Sequence, residues 1–177
     1  MSILDEIQRR CEESPPRLIK LTVSAKDPGT AFAPTPRTMF ITPAIQNYLD
    51  SDAPLAEAAR ADLERFILGK LVVASLYRDH KDGLIARLDK PKDEIWEIRI
   101  LDSDPQLRIF GRFACPDVFV ALVGPIEHEF VETDEEYEEY KTNCMNDWLN
   151  LFGFSPSISI IGSNNINDYI SNPVRLV

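Results

Sequence analysis

Hydrophobic positions in this chain follow two periods, and the change between them falls near residue 95. In the first half the spacing is mainly helical. Ile3, Ile7 and Cys11 recur behind Ser2, a capping residue with Asp5 three positions on, and Pro15-Pro16 ends the segment. Residues 17–24 alternate, with Ile19, Leu21 and Val23 on one side and Lys20, Thr22 and Ser24 on the other, as in a half-buried strand. Pro28, Gly29, Pro34 and Pro36 mark 26–36 as an irregular loop. Thr42-Pro43 predicts an N-cap with proline at the first helical position, leading into Ile45, Tyr48 and Leu49. A second helix starts near Pro54, carries Leu55, Ala59, Leu63, Phe66 and Ile67 as one stripe, and stops at Gly69. Leu71–Tyr77 fits either a buried strand or a continuing helix, because so short an apolar run has no decisive period.

From Ile95 the period becomes two. Trp96, Ile98 and Ile100 face one side, and Glu97, Arg99 and Leu101 the other. After a turn at Asp102-Ser103-Asp104-Pro105, Leu107, Ile109 and Phe113 alternate with Arg108, Phe110 and Arg112. Pro116-Asp117 turns the chain into Val118–Val123, apolar enough for a strand buried on both faces. Three strands joined by short turns predict an antiparallel meander. Thr133 and Glu136 then form a capping box for a helix carrying Tyr137, Tyr140, Cys144, Trp148 and Leu151 on one face, ended by Gly153. The tail holds a candidate strand at Ser157–Ile161 and a turn at Ser163-Asn164-Asn165. The expected fold class is α+β, an antiparallel β-meander packed against helices. One domain covers 1–153, and 154–177 is a C-terminal extension packing on it.

Composition narrows the function classes. The chain has 177 residues, 44% hydrophobic and 27% charged, ordinary values for a domain with a real core. Its formal charge of −10 works against a surface that tracks phosphates, although a local basic strip is compatible with an acidic whole. Cys11, Cys115 and Cys144 are odd in number and widely spaced, which predicts reduced thiols rather than a disulfide framework or zinc site. The N-terminal residues lack the pattern of a signal peptide, and no stretch approaches the ~20 apolar residues of a membrane span. The expected location is cytoplasmic, with no membrane partner.

Strong catalytic signatures are missing. The seven glycines form neither a P-loop nor a dinucleotide fingerprint, so no nicotinamide or nucleotide cofactor is expected, and none of any other kind. His128 lies between Glu127 and Glu129, a weak metal motif because sequence neighbours point different ways, and no metal site is expected. The acid-rich run from Glu127 to Glu139 reads as a solvated helix start, where negative charge meets free N–H groups, or as a docking face for a basic partner. Arg99, Arg108 and Arg112 stand among apolar residues of neighbouring strands. Arginine there is either a phosphate clamp or a structural cation paired across the sheet.

The string Ile95-Trp96-Glu97-Ile98-Arg99-Ile100, then Leu107-Arg108-Ile109-Phe110, then Val118–Val123 closing on Gly124, resembles the RelE/HigB toxin superfamily. Leu84–Leu88 is similar to the family's approach to its first strand, so the similarity spans 84–124, with the helices at 43–68 standing in for the N-terminal helical hairpin. The resemblance implies a RelE-like fold and a metal-free mRNA endoribonuclease of a toxin–antitoxin or phage-related locus. Its partners would be an antitoxin and, for an active toxin, RNA or the ribosome. It makes Arg99 and Arg108 candidate catalytic cations, which would stabilise charge at a scissile phosphate. Arg112 and Glu97 become candidate binding residues. The chain departs from the pattern at Glu97, a position often basic in the family, and after Gly124, where Pro125-Ile126-Glu127 replaces basic residues. A weak or inactive ribonuclease, a non-catalytic binding module on the same fold, and an acidic protein covering a basic partner surface are the three resulting expectations.

Overall fold

The computed structural model describes residues 2–23, 36–78, 82–88, 90–102, 104–130, 133–154, 161–171 and 173–177. Most of the expected loop at 26–36 and of the expected strand at 157–161 lies outside these. Among the described residues, four helices flank one eight-stranded sheet. The helices are α1 (Ile3–Glu12), α2 (Pro43–Leu49), α3 (Ala56–Ile67) and α4 (Asp134–Phe152). The strands are β1 (Ile19–Lys20), β2 (Thr38–Ile41), β3 (Val72–Ser75), β4 (Ile85–Arg87), β5 (Trp96–Ile100), β6 (Leu107–Cys115), β7 (Val118–Glu127) and β8 (Val174–Leu176). Their order across the sheet is β1-β2-β7-β6-β5-β4-β3-β8.

The expected meander is present as β5, β6 and β7, each antiparallel to the next, and β4 extends it. The sheet as a whole is mixed, which corrects the antiparallel expectation. β2 runs parallel to β7, and β3 runs parallel to both β4 and β8. Two elements account for the difference. Thr38–Ile41 is too short to show a period and sits beside the proline-rich stretch, yet its Met39, Phe40 and Ile41 are buried between β1 and β7. Leu71–Tyr77 resolves to strand because Gly69, at φ +68°, turns the chain out of α3 and frees 72–75 to pair on both edges.

Period two places opposite faces of the sheet against different helices. Trp96, Ile98, Ile109, Phe113 and Phe119 join Ile45, Leu49, Leu63 and Phe66 of α2 and α3 in one core. Phe110, Val120 and Leu122 join Ile7 of α1 and Cys144, Trp148 and Leu151 of α4 in the other. The helices at 43–67 and 134–152 thus cover different faces, giving three layers. Gly111 is required where β6 crosses β7, because a Cβ there would collide with the Val120 carbonyl and the Phe119 ring. Both capping boxes form, at Ser2/Asp5 and Thr133/Glu136, and Gly153 ends α4 at φ +73°. Tyr140, expected in the core, is only half-buried and stacks on Phe110 with ring centroids 5.6 Å apart.

The tail is built into the α2/α3 side. Ile166, Tyr169 and Ile170 enter that core, and β8 forms the sheet edge. Arg37, 1% exposed, donates to the carbonyls of Phe66, Lys70, Ser171 and Pro173 at 2.9–3.2 Å, tying the end of α3 to the tail.

Candidate functional site

Alternation along β5 and β6 turns Glu97, Arg99, Arg108 and Arg112 toward α4. Arg99 and Arg108 are direct cross-strand partners, an arrangement that repels unless an acid intervenes. Glu97 intervenes. It is completely buried, and its Oε1 accepts from Arg99 Nε at 2.7 Å and lies 2.5 Å from Arg99 Nη2. Its Oε2 accepts the Tyr137 hydroxyl at 3.1 Å and lies 3.6 Å from Arg108 Nε. Other donors of the two guanidiniums go to the protein's own oxygens. Arg99 Nη2 reaches the Arg78 carbonyl at 2.7 Å, and Arg108 reaches the Leu107 carbonyl and Gln106 Oε1, each at 3.1 Å.

Arg112 sits apart from this group. Its Nη2 donates to the Asp93 carbonyl, and its guanidinium lies over the Trp148 ring at 5.6 Å. Burial lowers its pKa, with nearby Cys144, Asp93 and Glu94 opposing. The same burial pushes the Cys144 thiol up to about 12, against the favourable field of Arg112, so the thiol stays protonated and unreactive at neutral pH. Burial first, and then the charge of Glu97, raise the Tyr137 pKa, keeping its hydroxyl a donor.

Above Glu97, the first turns of α4 form a polar rim. Arg78 lies over the Tyr137 ring at 4.6 Å and pairs with Asp134 at 2.7 Å. Lys141, 3% exposed, donates to Glu138 at 2.7 Å, and Lys90 reaches Glu138 at 3.3 Å. A cavity of about 170 Å³ opens there, lined by Arg78, Leu88, Asp134, Tyr137, Glu138 and Lys141.

The sheet therefore brings together Glu97, Arg99 and Arg108 from the sequence candidates and leaves Arg112 at a second position. Sequence reasoning missed Arg78, the hydroxyl role of Tyr137, and Lys141. Lys141 carried a usable signal, since it lies four residues from Tyr137 and three from Cys144 on the helix face that turns inward. Arg78 carried none, because its place follows from how β3 ends. Among the described residues no group of three His, Cys, Asp or Glu is arranged to hold a metal ion, and no helix is long and apolar enough to cross a membrane. No protein-family model matches the chain, and neither a curated protein nor a solved structure matches it.

Proposed function

We propose that the chain is a RelE/HigB-type scaffold, of a toxin–antitoxin or phage-related locus, that works as a non-catalytic protein-binding module. The observation that carries this is the closure of Arg99 and Arg108 on Glu97 beneath Tyr137. Both guanidiniums are at most 6% exposed and are turned to a carboxylate and to internal oxygens, leaving no accessible fork for a scissile phosphate. The helix pair α2–α3 ahead of the β5–β6–β7 meander supports the scaffold. Losing one preorganised electrostatic contact costs about 10²–10³ in rate, and here two candidate cations are already engaged.

The test is induction in a bacterial host, with growth and mRNA integrity followed for wild type beside Arg99→Ala/Arg108→Ala. Neither chain should arrest growth or cleave RNA, and the double variant should differ in stability. Strong arrest by wild type, abolished in a double variant that stays folded, would establish a working ribonuclease instead. A second function, covering a basic partner surface, is favoured by the exposed Asp134, Glu135, Glu138 and Glu139 on α4.

A further inference from the structure

The described tail residues, 161–171 and 173–177, are gripped along their main chain. Glu94 accepts from the Gly162 amide, and Arg87 donates to the Ser163 carbonyl at 2.5 Å. The Asp117 amide donates to the Tyr169 carbonyl at 2.9 Å, and Asp117 Oδ1 accepts the Ser171 amide at 2.8 Å. Arg37 holds the Ser171 and Pro173 carbonyls at 2.9 and 3.0 Å. β3 takes the end of the tail as a parallel strand, from the Val72 amide on the Pro173 carbonyl to the Val177 amide on the Ala74 carbonyl. Side chains add a second set of contacts. Ile166, Tyr169 and Ile170 are buried in the α2/α3 core, and the Tyr169 hydroxyl donates to Glu94 at 2.8 Å. Main-chain bonds along a sheet edge, with pockets for a few side chains, are how a domain receives an extended peptide.

The receiving groups are also tied to the body of the domain. Arg37 lies over the Phe66 ring at 5.4 Å, donates to the Phe66 and Lys70 carbonyls, and has Nε 3.7 Å from Asp117 Oδ1. Arg87 lies over the Trp96 ring at 5.8 Å, and the Asp117 carbonyl accepts the Thr38 amide at 2.8 Å. Glu94 and Asp117, the two acids that take tail amides, both stand in the left-handed region, at φ 53° and 62°. Side chains enter that region at a cost, and such strain collects at ligand clamps. We propose that Arg37, Arg87, Glu94, Asp117 and the edge of β3 form a binding site for an extended peptide. The chain's own tail fills this site, and a partner segment with tyrosine followed by a branched apolar residue takes it by displacing the tail. Contacts to main chain are indifferent to sequence, so the partner remakes them, and selectivity falls on the positions of Tyr169 and Ile170. The inference deepens the binding-module reading and rests on it for its purpose, while the site itself rests on the tail contacts.

A fluorescent synthetic peptide of residues 161–177, titrated by anisotropy against the whole chain, tests the site. A tethered segment competes at an effective concentration on the order of 1 mM, so wild type should bind the peptide weakly. In Tyr169→Ala/Ile170→Ala the tail is a poor competitor, and the peptide should bind at least about tenfold more tightly. The peptide carrying Tyr169→Ala should lose at least about tenfold in affinity, whereas Asn167→Ala, at an exposed position, should leave it unchanged. No saturable binding to the double variant, or equal affinity for it and for wild type, would overturn the proposal. Because that variant empties core positions, hydrogen exchange of wild type is the second measurement. The amides of Gly162, Ser171 and Val177 should exchange through an opening that leaves β5, β6 and β7 protected. Exchange of those amides only together with the three strands would overturn the proposal equally. Growth and RNA integrity test the binding-module reading separately, so a failed peptide titration with RNA intact removes this site and leaves that reading.

Discussion

The two faces of the sheet each bury a glutamate with arginine and tyrosine, to different effect. On the α2/α3 face, Glu94 accepts from the Tyr169 hydroxyl at 2.8 Å, from the Gly162 amide and from Trp96 Nε1 at 3.4 Å. Arg87 beside it donates to the Ser163 carbonyl at 2.5 Å and to Asn164 Oδ1 and the Tyr169 hydroxyl at 3.4 Å. Those contacts fasten the tail to the meander, with the Tyr169 hydroxyl between Arg87 and Glu94 and aromatic rings closing the space: Trp96 to Tyr169 at 4.8 Å and Trp96 to Phe113 at 5.2 Å. On the α4 face, Glu97 serves two arginines, further buried cations lie nearby, and a cavity remains. On one face the glutamate fastens a distant segment through neutral donors; on the other it holds two like charges side by side.

The largest expected effect comes from Glu97→Gln. It leaves two opposed, buried guanidiniums without an anion, and loss of one partner from a buried pair costs about 3–5 kcal/mol. Glu94→Gln keeps a neutral acceptor for Tyr169 and Gly162 and should cost about 1–3 kcal/mol. Urea midpoints for the two variants compare the faces directly, and an equal or larger loss at Glu94 would break the distinction. Tyr169→Phe comes next, at about 1 kcal/mol or somewhat more, since it removes one hydroxyl between Glu94 and Arg87.

A smaller, sharper difference should appear at alkaline pH. Burial pushes Cys144 on the α4 face up to about 12 from 9.0, and burial with Glu94 pushes Tyr169 on the other face up to about 12 from 10.0. In both cases the unfolded chain releases its proton first. Stability is therefore full below pH 9, and it falls between there and about pH 12 because the unfolded state binds fewer protons. Denaturant midpoints across this range should begin to fall with Cys144 and fall faster once Tyr169 contributes. Cys144→Ala should remove the earlier part of the decline and Tyr169→Phe the later. A decline that starts at the same pH in wild type and Cys144→Ala would show that the thiol is not the first group to act.

Much of this architecture was legible in local pattern. Alternation over 96–100 and 107–113 assigned each side chain its face, because successive residues of a strand point to opposite sides whatever the partner strand is. The two capping boxes and the inward stripe of α4 were readable for the same local reason. Thr38–Ile41 and Leu71–Tyr77 were not, since four or five apolar residues are compatible with strand, helix or loop until a neighbouring edge is known. For the candidate site, Glu97, Arg99, Arg108 and Arg112 were visible as residues, but two assignments to the arginines, clamp or structural cation, stayed open.

The sequence by itself determined which side chains share a face, where the helices begin and stop, and that three successive strands pair antiparallel through short turns. Tertiary structure alone decided that the sheet is mixed, that α2/α3 and α4 cover opposite faces, and that Arg99 and Arg108 end on Glu97 rather than at the surface. The physical reason is range. Periodicity and capping act over a few residues, whereas the hydrogen-bond partners of Glu97 and Arg99 include Tyr137 and Arg78, brought there across tens of residues by packing that no local window contains.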